Sequence, residues 1–141
     1  MPTKTTQPAD TELVGSLVKL MHLLQDVYAE TSRPLGLTPQ QAHLLCVLLG
    51  GPLGMTELSR ILSIERSSLT SMVDRLERRD LLARTADPTD RRACQISLTA
   101  PGTSLAHKAH NAYTARIDAL TADVPATQQK ALIAAIATIT S

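Results

Sequence analysis

Apolar residues recur at three- and four-residue spacing through Leu13, Leu17, Leu20, Met21, Leu24 and Tyr28, which predicts a helix with one apolar face. Residues 1–10 before it are polar, hold two prolines and show no period, so they read as a loose N-terminal tail. Arg33-Pro34-Leu35-Gly36 ends this helix, and Thr38-Pro39-Gln40-Gln41 opens the next. Thr38 is suited to cap it, Pro39 to hold its first position and Gln41 to complete a capping box. The run from Leu44 to Leu49 is almost wholly apolar and predicts a helix buried on most sides, stopped by Gly50-Gly51-Pro52.

Residues 56–62 form a short predicted helix with Leu58, Ile61 and Leu62 inward, and Ser63-Ile64-Glu65 makes the turn after it. In the following helix Leu69, Met72, Val73 and Leu76 mark the buried face, leaving Arg66, Ser67, Thr70, Ser71 and Arg75 on or near the outside. Glu65 stands at its N-cap, a weaker cap than Ser, Thr, Asp or Asn. Leu81-Leu82-Ala83-Arg84, the turn Asp87-Pro88-Thr89-Asp90-Arg91-Arg92 and the alternating run Cys94 to Leu98 read as a hairpin with arginines at its tip. Thr99 then caps a long helix carrying Leu105, Ala109, Ala112, Tyr113, Ile117 and Leu120 on one side. Val124-Pro125 breaks it before a last helix with Leu132, Ile133, Ile136 and Ile139. The order predicts a mainly α fold with a small β wing, in which a winged helix-turn-helix lobe joins a helical dimerisation region. Such a helix followed by a projecting arginine hairpin is suited to grip duplex DNA in two grooves.

With 141 residues the chain forms one domain with its own core. Its aromatics are two tyrosines, so that core must come from Leu, Ile, Val, Ala and Met, as suits helix-on-helix packing. No apolar run approaches the roughly 18 residues of a membrane span, and Met1 to Thr6 lack the apolar core of a signal peptide. Two cysteines give no disulfide framework and fit a reducing cytoplasm. The formal net charge is only +1, but eight of the ten arginines fall between residues 60 and 92. Six acids share that window and leave it at +2, so DNA binding would depend on placed arginines rather than a broad basic field. The apolar faces over residues 12–30 and 103–140 exceed what a small winged helix covers, which predicts burial against a second copy.

The segment Val73-Asp74-Arg75-Leu76-Glu77, then Leu81-Leu82-Ala83-Arg84, then Asp87-Pro88-Thr89-Asp90-Arg91-Arg92, with Leu98-Thr99 and Gly102, resembles the MarR family of bacterial transcriptional regulators. Leu37-Thr38 with Gln41 and Leu48, and Glu57-Leu58, extend the resemblance upstream until it covers nearly the whole chain. It implies a single domain over residues 11–141, with the winged helix-turn-helix at about 37–99 and dimerisation helices at about 11–33 and 100–141. It further implies a homodimeric repressor on a near-palindromic double-stranded DNA site, released by a small-molecule effector, with recognition helices about one DNA turn apart. Arg66, Ser67, Ser68, Thr70, Ser71 and Arg75 would then meet the major groove. Arg91 would take a phosphate, and Asp90 would hydrogen-bond the Arg92 guanidinium to aim it into the minor groove. His22 and His43 fall in helices that line the ligand cleft in that family.

Other chemistries are weakly supported. Cys46 lies in an apolar run and Cys94 on the core side of its strand; the family's peroxide-sensing branch carries its cysteine near the start of the first helix, where this chain has none. His107 and His110 are too few for a closed metal site. No nucleophile with a paired base and no glycine-rich phosphate loop points to an enzyme, and no cofactor is called for. The competing reading is a winged-helix protein-interaction or ligand-binding module without DNA recognition, to which Glu65, Asp74, Glu77 and Asp80 lend some footing.

Overall fold

A computed structural model describes residues 8–141. The first helix, α1, runs Pro8–Ser32, so the last three residues of the expected tail are already helical and the rest of it lies outside the described residues. A short 3-10 turn (Arg33–Leu35) leads to Gly36, whose φ of 70° is left-handed backbone that glycine adopts freely. Helix α2 (Pro39–Leu48) begins with the expected capping box: the Gln41 N–H donates to Thr38 Oγ1 at 3.2 Å, and the Thr38 N–H donates to Gln41 Oε1 at 3.0 Å. Ala42, Leu44, Leu45 and Leu48 are buried on it.

A two-residue strand, β1 (Leu53–Gly54), precedes α3 (Met55–Leu62). Because α3 starts at Met55, its buried face is Met55 and Leu58, and Ile61, expected inside, is exposed on the flank. Helix α4 (Arg66–Arg78) buries Leu69, Met72, Val73 and Leu76. Asp80 follows it with a left-handed φ of 58°, and the Leu81 N–H donates to the Leu76 carbonyl, closing the helix end. Strands β2 (Leu82–Ala86) and β3 (Cys94–Leu98) pair antiparallel from Leu82 opposite Leu98 to Ala86 opposite Cys94. Strand β1 pairs with the other edge of β3, placing Leu53 opposite Ile96, so the fully buried Ile96 stands at the centre of the sheet.

Helix α5 (Ala100–Thr121) is capped by Thr99, whose Oγ1 accepts the Gly102 N–H at 3.0 Å, and α6 (Ala126–Thr140) follows. The core joins Leu44, Leu45 and Leu48 of α2, Leu58 of α3, the inner face of α4, Leu82, Ile96 and Ala106 of α5. Val27 and Ser32 near the end of α1 are also buried, but burial falls away beyond them. No residue of α6 is buried, and Ile133 and Ile139 are 67% and 65% exposed. Leu13 and Val14 on α1 are 60% and 61% exposed.

Candidate nucleic-acid interface and ligand cleft

The buried stripe of α4 turns its other side outward. Arg66, Ser67, Ser68, Thr70, Ser71 and Arg75 are all exposed, as the periodicity required. They do not form one uniform surface. Arg66 Nη1 donates to Thr56 Oγ1 of α3 at 3.0 Å, and Thr70 Oγ1 donates to the Arg66 carbonyl at 2.8 Å. Ser68, Ser71 and Arg75 instead line a cleft of about 500 Å³ with Thr38, Pro39, Gln40 and Gln41 of α2. Glu65 caps α4 without a side-chain hydrogen bond.

Residue spacing does not single out Arg84, which the fold brings against α4. From β2 it donates to Asp74 Oδ1 at 2.6 Å and to Glu77 Oε1 at 3.1 Å, both on α4, tying wing to helix. These carboxylates raise the Arg84 pKa further, the Asp74 hydrogen bond most of all. Asp74 and Glu77, the acids nearest Arg75 along α4, are thereby engaged by Arg84. Arg79 Nη1 donates to the Gly36 carbonyl at 2.9 Å, so it fastens α4 to the loop before α2.

The wing tip holds itself in shape through two carboxylates. Asp87 Oδ1 accepts the Thr89 N–H and hydroxyl, each at 2.8 Å, which lowers the Asp87 pKa. Asp90 Oδ1 accepts the Arg92 backbone N–H at 3.0 Å, not the guanidinium. A carboxylate two residues before an N–H in a tight turn closes an Asx turn on the main chain, and that geometry turns it from the arginine's far end. Arg91 and Arg92 are both exposed.

A second cleft, of about 660 Å³, lies between α1 and the start of α2. Leu17, Leu20, Met21, Leu24, Gln25 and Tyr28 form one wall, and Pro39, Gln40 and His43 the other. His43 is there as expected; burial lowers its pKa and favours the neutral ring. His22 is exposed and outside the lining, because it falls one position past the Met21 stripe on the helix. Tyr28 stacks on Tyr113 with ring centroids 4.0 Å apart, and burial first, then Tyr113 and Cys46, push its pKa up to about 12.

The Cys46 thiol points at the Ala106 carbonyl at 3.9 Å, and burial raises its pKa, the opposite of a reactive thiol. Among the described residues no three metal-ligating side chains cluster, and no helix is long and apolar enough to cross a membrane.

Comparison with known proteins places this geometry. The model of the MarR family matches residues 35–93. The HTH-type transcriptional repressor MdtR of Bacillus subtilis (strain 168) is 36% identical over 88 residues, which are 62% of this chain and 57% of that protein. The chain thus matches a little over half the length of that relative. The transcriptional repressor CouR bound to a 23-mer DNA duplex is 30% identical, with a TM-score of 0.78 over 99% of this chain and 100% of that one. CouR from Rhodococcus jostii RHA1 bound to p-coumaroyl-CoA aligns with a TM-score of 0.83 at 21% identity, over 95% of each chain. AbsC, a MarR family transcriptional regulator from Streptomyces coelicolor, shares the fold with a TM-score of 0.86 at 20% identity, over 98% and 96%.

Proposed function

The chain belongs to the MarR family, and from that premise we propose that it is a homodimeric, sequence-specific transcriptional repressor released from double-stranded DNA by a small ligand. The observation that carries the proposal is the pairing of the exposed polar face of α4 with a wing that Arg84 ties to the same helix. Helix α4 is the element for the major groove: Arg66, Ser67, Ser68, Thr70, Ser71 and Arg75 supply hydroxyls and guanidiniums for base edges and phosphates. Arg92 enters the adjacent minor groove and Arg91 takes a phosphate. Asp90 acts on Arg92 through the main chain, by holding the turn that presents it. The bare apolar residues of α1 and α6, among them Leu13, Val14, Ile133 and Ile139, are the surface for a second copy. Two copies set two α4 helices on a near-palindromic site.

The ligand acts from the cleft between α1 and α2. Helix α1 belongs to the dimerising face and α2 to the DNA-binding lobe, so an occupant touching both changes the angle between them. It shifts the population toward a spacing that fits DNA badly, by as much as its affinity for the two states differs.

The test is affinity for DNA flanking the protein's own gene, set against an unrelated duplex in rising salt. Tight binding to the own flank alone, falling steeply with salt, is the expected result. Equal and weak binding to both duplexes would contradict the proposal.

A further inference from the structure

Helix α4 opens on an arginine that is already held in place. Arg66 is its first residue, and Arg66 Nη1 donates to the hydroxyl of Thr56, the second residue of α3, at 3.0 Å. Both residues are exposed. The kind of partner matters as much as the distance. Arg60 is paired with Glu57, and Arg84 with Asp74 and Glu77, so those guanidiniums sit against negative charge. Arg66 leans instead on a neutral hydroxyl, which fixes its direction and leaves its charge uncompensated.

The bond also leaves the useful side of the guanidinium open. Nη1 is the nitrogen on the Cδ side, so Nε–H and Nη2–H on the opposite side remain together as a parallel fork. In the major groove guanine offers two acceptors, O6 and N7, that match such a fork. Adenine presents one acceptor and one donor there, thymine one acceptor and cytosine a donor. The first turn of a recognition helix is the part that meets base edges. Its other outward residues here, Ser67, Ser68 and Thr70, are short, so the helix can approach closely while Arg66 does the reaching. Thr70 has already donated its proton to the Arg66 carbonyl at 2.8 Å, which leaves that hydroxyl able only to accept. A phosphate is satisfied by a mobile cation, whereas a base edge favours a fork aimed beforehand, because less side-chain freedom is lost on binding.

We propose that Arg66 reads a guanine in each half-site through its Nε–Nη2 fork, and that Thr56 of α3 is the residue that positions it. The inference deepens the repressor reading and rests on it.

The test uses the full chain and a pool of duplexes randomised over the site, from which bound sequences are selected. Fluorescence anisotropy then measures the selected duplex against its three replacements at each guanine. The expected result is one guanine at a fixed position of each half-site, whose replacement costs at least about tenfold in affinity. Arg66→Ala should reduce that penalty to roughly twofold or less at that position alone, with the salt dependence unchanged. Thr56→Val, which removes the hydroxyl and keeps the branched shape, should lower the penalty at least roughly threefold, and Thr56→Ser should preserve it. Because both positions are exposed, the melting temperature should not move. If Arg66→Ala weakened every duplex alike and lowered the salt slope by about one, Arg66 would be a phosphate contact and the proposal would be overturned. A guanine penalty unchanged in Thr56→Val would overturn the positioning role. In both cases a selected site still exists and the regulator reading survives. Enrichment of no sequence by the folded protein would remove that reading and this inference together.

Discussion

Replacing Gly102 by alanine sets two effects of opposite sign against each other. Gly102 is the third residue of α5, and alanine in a helix is favoured over glycine by up to about 1 kcal/mol. Yet a Cβ built there lies 1.9 Å from the Leu81 carbonyl oxygen, 2.8 Å from its carbon and 3.2 Å from its Cα. All three are main-chain atoms, and that same oxygen accepts the Thr99 N–H at 3.1 Å. Ordinary contact requires a retreat of roughly 1.5 Å, which would pull Thr99 from Leu81 and from the Asp80 carbonyl that its hydroxyl reaches. Overpacking of this kind costs about 1–3 kcal/mol, and two weakened hydrogen bonds add about 1 kcal/mol each. The clash therefore wins, and Gly102→Ala should destabilise the fold by about 2 kcal/mol or more. For a chain of this size that is a fall in melting temperature of about 7 °C. Circular dichroism at 222 nm measures it, with protein concentration held constant because association with a second copy, as proposed, would raise the midpoint. A midpoint unchanged or raised would show that α5 does not abut Leu81 so closely, and the reasoning about this corner would fail.

Arg92→Ala should weaken binding to a specific duplex by about 1–3 kcal/mol with little effect on the melting temperature; fluorescence anisotropy reads it, and an unchanged affinity would remove the wing from the interface. Arg84→Ala should cost under about 1 kcal/mol of stability, since the side chains of Arg84, Asp74 and Glu77 are 33%, 40% and 39% exposed and solvent screens their pairing. DNA affinity should nevertheless fall at least roughly tenfold, because the wing loses its tie and two carboxylates are bared beside phosphates; Arg84→Lys should restore only part of it, lacking the fork that reaches both acids. Tyr28 is held protonated in the folded chain up to about pH 12, whereas an unfolded tyrosine ionises near its ordinary value of 10. Above that ordinary value the unfolded state sheds its proton first, so stability should fall as pH rises from 10 toward 12, and alkaline melts of Tyr28→Phe should show a shallower loss.

Where a feature was written into adjacent residues, it was legible in the sequence. Thr38 and Gln41 announce a reciprocal cap, the Leu69–Leu76 stripe fixes which side of α4 faces out, and Asp87-Pro88 marks the wing turn. Features decided by distant partners were not legible. Arg84 has two acids within reach only because β2 folds back along α4, and nothing in its spacing says so. Asp90 carries the right residue type for aiming Arg92, but the turn hands it the backbone N–H in place of the guanidinium. The phase of α3 slipped because the helix starts at Met55, directly after a two-residue strand too short to leave a pattern. His22 and His43 are alike in type and differ in place: one lies off the apolar stripe of α1, and the other faces Tyr28 at 5.6 Å between rings. Gly102 looks like any glycine in a helix until Leu81 is set against it.

The account's central claim is that α4 and the wing grip two grooves, twice, about a two-fold axis. Hydroxyl-radical footprinting of the DNA flanking the protein's own gene tests it most directly. The expected pattern is two protected segments about one helical turn apart, each with minor-groove protection alongside that Arg92→Ala removes. A single protected segment, or protection indifferent to Arg92, would contradict it.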